Sequence, residues 1–213
     1  MESKYKHLFS PILVNQTMLP NRIMAAPILR HISREKATSG IGTIIWGSGF
    51  IDDEYAPIRS GGYVFDPYAI QDSVRQKLDM YKQGGAKVSI ELMHCGARGR
   101  FCYKDYKDPF GSSEYVRPDG SVAHPMNEEE MNRIADKFAE AAVTAKQLGF
   151  DMVMIHCAHG WLIHQFLSPK YNPPVNSRMI SRSKPARLIS SFKGHAPESS
   201  SYKIAGRKFA NRL

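Results

Sequence analysis

The sequence predicts an α/β fold built on a parallel sheet. Three observations carry this expectation. Four short apolar runs recur along the first 157 of 213 residues, each run is nearly continuous in hydrophobicity rather than alternating, and stretches of helical period stand between them. Strands covered on both faces read as continuous apolar runs, as in parallel sheets, and parallel strands need crossover connections. A doubly wound sheet and a (β/α) barrel both satisfy this pattern.

The first run, "NRIMAAPI" (21–28), is expected to be a buried strand. The second is "GTIIWGSG" (42–49), the third "AKVSIELMH" (86–94) and the fourth "FDMVMIHC" (150–157). Between the second and third lies "DPYAIQDSVRQKLDMYKQGG" (66–85), with Ile70, Val74, Leu78 and Tyr81 at helical spacing before a glycine pair. Between the third and fourth lies "NEEEMNRIADKFAEAAVTAKQLG" (127–149). There Asn127 and Glu130 form a capping pair, Met131, Ile134, Phe138, Ala141, Ala145 and Leu148 make one apolar stripe, and Gly149 suits the C-terminal cap.

Charge divides the chain. The net charge is +9, yet residues 1–169 hold 19 Lys and Arg against 19 Asp and Glu. The last 44 residues hold ten basic side chains and one acid, Glu198. The excess therefore belongs to the tail and not to a basic face of the folded part. Residues 173–213 carry eight serines and four prolines without a useful period, and are expected to be of low order. The domain expectation is one folded unit over 1–172 followed by that tail. No apolar stretch reaches membrane-spanning length, and "MESKYKHLFSP" lacks the apolar core of a secretory leader. Cys95, Cys102 and Cys157 are sparse and odd in number, which fits reduced thiols and a cytoplasmic setting.

In parallel α/β folds the chemistry gathers at the C-terminal ends of the strands. Pro27 and Leu29 follow the first run, Gly47, Ser48 and Gly49 the second, Glu91 and His94 the third, His156 and His159 the fourth. Met152, Met154 and His156 share a strand face. The pair His156 and His159 has three readings: structural histidines, metal ligands completed by His94 or His164, or imidazole donors that polarise a carbonyl oxygen. No neighbouring carboxylate or HExxH frame supports zinc, and no metal site is predicted. Gly47 and Gly49 permit close approach by a flat ring or a phosphate, or mark a simple turn. "RGR" (98–100) suits a phosphate or carboxylate, or a solvated loop.

These motifs, taken together over residues 8–172, resemble the Old Yellow Enzyme-like NADH:flavin oxidoreductases, in particular the enoate, 2,4-dienoyl-CoA and bile-acid reductase branch. The stretches that carry the likeness are "LFSPILVNQTMLPNRIMAAPI", "GIGTIIWGSG", "IELMHCGARG", "GSS" (111–113) and "GFDMVMIHCAHGWLIHQFLSPKYN". The resemblance implies a (β/α)8 TIM barrel that binds FMN at its C-terminal face. It implies hydride transfer from NAD(P)H to the flavin and on to an activated alkene, so the partners are small unsaturated carbonyl or enoate substrates. By position, Ala26, Pro27, Leu29, Ser48 and Glu91 would border the flavin, and His156 and His159 would hold the substrate carbonyl oxygen.

Four departures from the family pattern stand out. Trp161 occupies the place of the tyrosine that often gives the proton, and an indole N–H is no acid. Glu91 replaces a glutamine. The segment between the first two strands, "RHISREKATSGIG", is short. After "FLSPKYN" the family text is lost, as in a shifted reading frame or a divergent extension, so about four of eight β/α units are expected, without the iron–sulfur and FAD portions of longer relatives. A barrel of about 250 residues would thus be half encoded. Weak activity alone, little FMN retention and self-association through open barrel edges are the corresponding expectations. The competing class is a non-catalytic module whose basic tail meets acidic partners; no motif for specific nucleic-acid binding is present.

Overall fold

The computed structural model describes residues 4–28, 33–51, 63–64, 71–98, 109–118 and 120–172. The expectations for Leu29, Ile70, Cys102 and the tail 173–213 lie outside the described residues. The chain opens with a one-turn helix α1 (Lys6–Phe9) and a hairpin of β1 (Ile12–Val14) antiparallel to β2 (Thr17–Leu19). There follow β3 (Met24–Ile28), the short helix α2 (Arg34–Ala37), β4 (Thr43–Phe50), β5 (Tyr63–Val64), α3 (Gln71–Lys82) and β6 (Lys87–Met93). A 3-10 turn (Gly96–Arg98) leads to β7 (Phe110–Gly111), β8 (Tyr115–Val116) and β9 (Val122–Pro125). Then come α4 (Glu128–Leu148), β10 (Met152–Ile155) and α5 (Leu162–Leu167).

The main sheet has the order β3-β4-β6-β10, with every neighbouring pair parallel, and β5 joins the far end of β4. The strands lie side by side in chain order, without reversal. Val88, Ile90 and Leu92 of β6 and Ile44 and Trp46 of β4 share one core with Val74, Leu78 and Tyr81 of α3 and the stripe of α4. Both long helices therefore cover the same face. A doubly wound sheet reverses its strand order and carries helices on both faces. One-way winding with helices on one side is the barrel solution, which separates the two architectures that hydrophobic pattern alone leaves open.

Local chemistry explains the element limits. The Asn127 side chain accepts the Glu130 N–H at 2.8 Å, and the Glu130 carboxylate accepts the Asn127 N–H at 2.9 Å, so the capping box starts α4 where the sequence places it. Gly149 ends the helix at φ 101°, a left-handed conformation that a side chain would strain. At the N-terminal ends of β6 and β10, Asp151 accepts the Val88 N–H at 2.9 Å and pairs with Lys82 and Lys87. Trp46 meets Tyr81 edge-on and Phe150 at a tilt, both with centroids 5.6 Å apart. Each such fully buried apolar side chain contributes about 1.5–3 kcal/mol.

The sequence pattern does not reveal two features. The β1–β2 hairpin and the small sheet β7-β9-β8 consist of strands of two to four residues, too short to establish a period. The first crossover carries only the single turn of α2, in line with the short segment before the second strand.

Candidate active site at the strand tips

Side chains alternate across β6. Val88, Ile90 and Leu92 face the helices, which leaves Ser89, Glu91 and Met93 on the opposite face. On β10, Val153 and Ile155 pack on the helix-side core, so Met152 and Met154 take the opposite face, and Met154 lies in register with Glu91. The chain leaves β10 with the His156 N–H still donating to Leu92 O at 2.9 Å, which keeps His156 at the strand tip beside Glu91.

The structure brings Glu91, His156 and His159 into one hydrogen-bonded row. His156 Nδ1 and Glu91 Oε1 are 2.5 Å apart, and both side chains are more than nine-tenths buried. His156 Nε2 and His159 Nδ1 are 3.2 Å apart, with ring centroids at 5.1 Å and planes inclined by 30°. His159 itself is exposed. Both nitrogens of His156 are thus engaged, and Nε2 of His159 is the end of the row.

The loop that carries His159 is held on several sides. His159 has φ 58°, a left-handed conformation that is uncommon for a residue with a side chain and clusters at functional sites. Arg98 Nη1 donates to His159 O at 2.5 Å, and its guanidinium lies 5.4 Å from the Trp161 ring centre. Gln165, fully buried on α5, accepts the Ala97 N–H and donates to Cys95 O and Gly160 O at 3.1, 3.2 and 2.7 Å. One amide thereby ties the loop after β6 to the loop after β10. Gly96 admits it, since a Cβ there would lie 2.5 Å from Gln165 Oε1. Sequence reasoning missed Gln165. The only available signal is an amide in the apolar stretch "WLIHQFL", which an exposed helix face would produce equally well.

The other predicted site residues fall as follows. Ala26 and Pro27 lie on β3, Ala26 exposed and Pro27 half-buried. Ser48 lies on β4 between the two glycines. Gly47 and Gly49 serve packing within the sheet. A Cβ at Gly47 would stand 3.3 Å from Pro27 backbone, and one at Gly49 would stand 3.1 Å from Glu91 O. The neighbouring strands approach these glycines closely, around the register irregularity between Trp46 and Gly49. His94 and His164 each use Nδ1 to accept a backbone N–H, from Gly96 at 3.0 Å and Gly160 at 2.8 Å. Arg98 braces a loop; Gly99 and Arg100 are outside the described residues. Among the described residues no group of three or more His, Cys, Asp or Glu is placed to hold a metal, and no helix is long and apolar enough to cross a membrane.

A parallel sheet wound in one direction, with its polar cluster at the C-terminal strand tips, is the architecture of part of a (β/α) barrel. The chain belongs to the NADH:flavin oxidoreductase / NADH oxidase family, whose model matches residues 7–175. It is 30% identical over 187 residues to an NADPH dehydrogenase of Bacillus subtilis, covering 78% of this chain and 53% of that protein. It is 31% identical over 185 residues to a probable NADH-dependent flavin oxidoreductase, YqiG, of the same organism, covering 81% of this chain and 50% of that protein. The fold is similar to that of an old yellow enzyme homologue from Zymomonas mobilis, with a TM-score of 0.71 at 22% identity, over 89% of this chain and 59% of that one. The chain spans about half the length of the curated relatives it matches, and the described sheet corresponds to part of a TIM barrel.

Proposed function

We propose that this chain forms part of an FMN-dependent ene-reductase site, taking reducing equivalents from NADH or NADPH and reducing a carbon–carbon double bond conjugated to a carbonyl. The observation that carries the reading is the Glu91–His156–His159 row at the strand tips of a barrel of this family. An imidazole N–H aimed outward from such a row stabilises negative charge that develops on a carbonyl oxygen during reduction. The branch likeness to enoate and dienoyl-CoA reductases supports a conjugated acid derivative as the substrate class.

The residues at the tips suit a flat isoalloxazine. Ala26 is exposed and small, Pro27 beside it presents a ring, and Ser48 follows on the next strand. Glu91 engages only Oε1 among the described residues, which leaves its second oxygen as an acceptor for an imide N–H. Ala26, Pro27, Ser48 and Glu91 would border the flavin, which when bound supplies the hydride. His159 would meet the carbonyl oxygen, with His156 behind it. The basic-tail binding module has no comparable support.

The test supplies the full chain with FMN and NADPH under argon and follows reduction of 2-cyclohexenone by gas chromatography. The expected result is product formation faster than with free FMN, reduced at least tenfold by His159→Ala. Product formation equal to the protein-free control contradicts the reading.

A further inference from the structure

The row of three side chains constrains its protons, and the constraint goes further than holding an oxygen. The Glu91–His156 contact needs one proton between Oε1 and Nδ1, and the His156–His159 contact needs one proton between Nε2 and Nδ1. With Glu91 ionised and both imidazoles neutral, only one arrangement satisfies both contacts: His156 and His159 both carry their proton on Nδ1. The outer atom, His159 Nε2, is then a bare acceptor. One added proton changes this. His156 becomes protonated on both nitrogens, beside the carboxylate, and His159 Nδ1 becomes the acceptor. The proton of His159 then sits on Nε2, facing outward. In this state the cation lies next to the only carboxylate of the row.

We propose that Glu91, His156 and His159 form a proton relay that delivers one proton through His159 Nε2 to the carbonyl oxygen of the substrate. Glu91 is a positioning residue that fixes where the proton rests. The proposal rests on the ene-reductase reading for its acceptor. Hydride addition at the β-carbon of an activated alkene moves an electron pair to the carbonyl oxygen. The His159 Nε2–H bond breaks as an O–H bond forms, giving the enol, and the proton on His156 Nε2 passes to His159 Nδ1; the enol then loses its O–H proton to water as water protonates the α-carbon, which leaves the saturated carbonyl. The row loses one proton and returns to two neutral imidazoles with Glu91 ionised; water replaces the proton. Among the described residues, the neighbouring titratable groups are otherwise occupied. Arg98 donates to His159 O, His94 and His164 accept backbone N–H groups, and the Cys157 thiol is held protonated by its surroundings.

The test is 15N spectroscopy of the ligand-free full chain labelled at histidine, recorded through a pH titration, with His156→Gln and His159→Gln for assignment. At high pH both rings should show a protonated Nδ1 and a bare Nε2, the reverse of the usual preference of free imidazole. In one shared step, His156 should gain Nε2–H while the His159 proton moves from Nδ1 to Nε2. Glu91→Gln should abolish the tautomer exchange of His159 while the near-ultraviolet circular dichroism stays unchanged. A His159 that titrates by itself, or a neutral His156 protonated on Nε2, overturns the relay. The wild-type spectrum decides the matter even if Glu91→Gln does not fold. Because no flavin is present, the outcome is separable from the ene-reductase reading: a relay without alkene reduction removes the reading alone, and alkene reduction with independent histidines removes the relay alone.

Discussion

Strands β6 and β10 are hydrogen-bonded neighbours, yet they live in different surroundings. Val88 to Met93 of β6 are all buried, whereas the four residues of β10 are all half-exposed. At the other side of the sheet, β4 is buried from Thr43 to Gly47, while Met24 and Ala26 of β3 are exposed. The middle pair is packed between helices and neighbouring strands, and the outer pair is covered by less. The row of site residues crosses this boundary. Glu91 comes from the buried strand, His156 from the tip of the open one, and His159 from the loop beyond. A rigid anchor thus orients a group that must remain accessible, the arrangement a site needs if its first residue is to be fixed and its last is to meet a substrate.

The largest expected effect tests this difference in packing. Leu92→Ala on β6 removes a fully buried side chain and should cost about 2–5 kcal/mol. Val153→Ala on β10 should cost about 1 kcal/mol or less, because its side chain already meets solvent. Urea unfolding of both variants measures the two values, and equal losses would break the comparison.

Gln165→Leu comes next. It leaves the Ala97 N–H and the Gly160 carbonyl without the Gln165 amide, while Cys95 O keeps the Arg98 N–H, and buried orphans of this kind cost about 1–3 kcal/mol. Its particular mark is local: amide exchange at Ala97 should accelerate more than exchange in α4. Uniform acceleration would show that Gln165 supports the whole fold and not the two loops.

A smaller effect concerns α4, which links the buried strand to the open one. Asn127→Ala deletes the capping box and should cost about 1 kcal/mol, read as a lower melting temperature without change at His156 and His159.

The smallest effect compares two thiols. Cys95 follows β6 and is buried, whereas Cys157 follows β10 and is exposed at its edge. Iodoacetamide should label Cys157 in the native state and spare Cys95. Desolvation raises the Cys157 thiol above its ordinary range, so labelling should need higher pH than a free thiol of about 8.5. The linkage has a definite sign. The folded state keeps this proton longer than the unfolded one, so the contribution to stability is complete below the unfolded thiol's titration and is lost as pH rises toward the folded value. Peptide mass spectrometry across pH 7–10 reads the labelling.

The contrast between middle and outer strands also shows what the sequence could convey. The runs 42–49, 86–94 and 150–157 look alike in hydrophobicity, and all become parallel strands. Their different burial depends on which neighbours they acquire, and the runs themselves carry no record of that. Asn127, Glu130 and Gly149 were legible because a cap is a local device with its own residue types. Glu91 was legible as a departure from a pattern, but its hydrogen bond to His156 was not, since 65 positions of chain separate the two. Gly47 and Gly49 were legible as places of close approach, but a glycine does not name what approaches; here Pro27 and Glu91 on adjacent strands do the approaching.

The proposed function requires a flavin ring to be received at the C-terminal ends of these strands. Titrating FMN into the 15N-labelled full chain tests it most directly. Saturable shifts are expected at the amides of Ala26, Ser48, His156 and His159, with Lys87, Gly149 and Asp151 at the opposite ends unmoved. Shifts at those opposite ends instead, or none at the four tip residues, would contradict it.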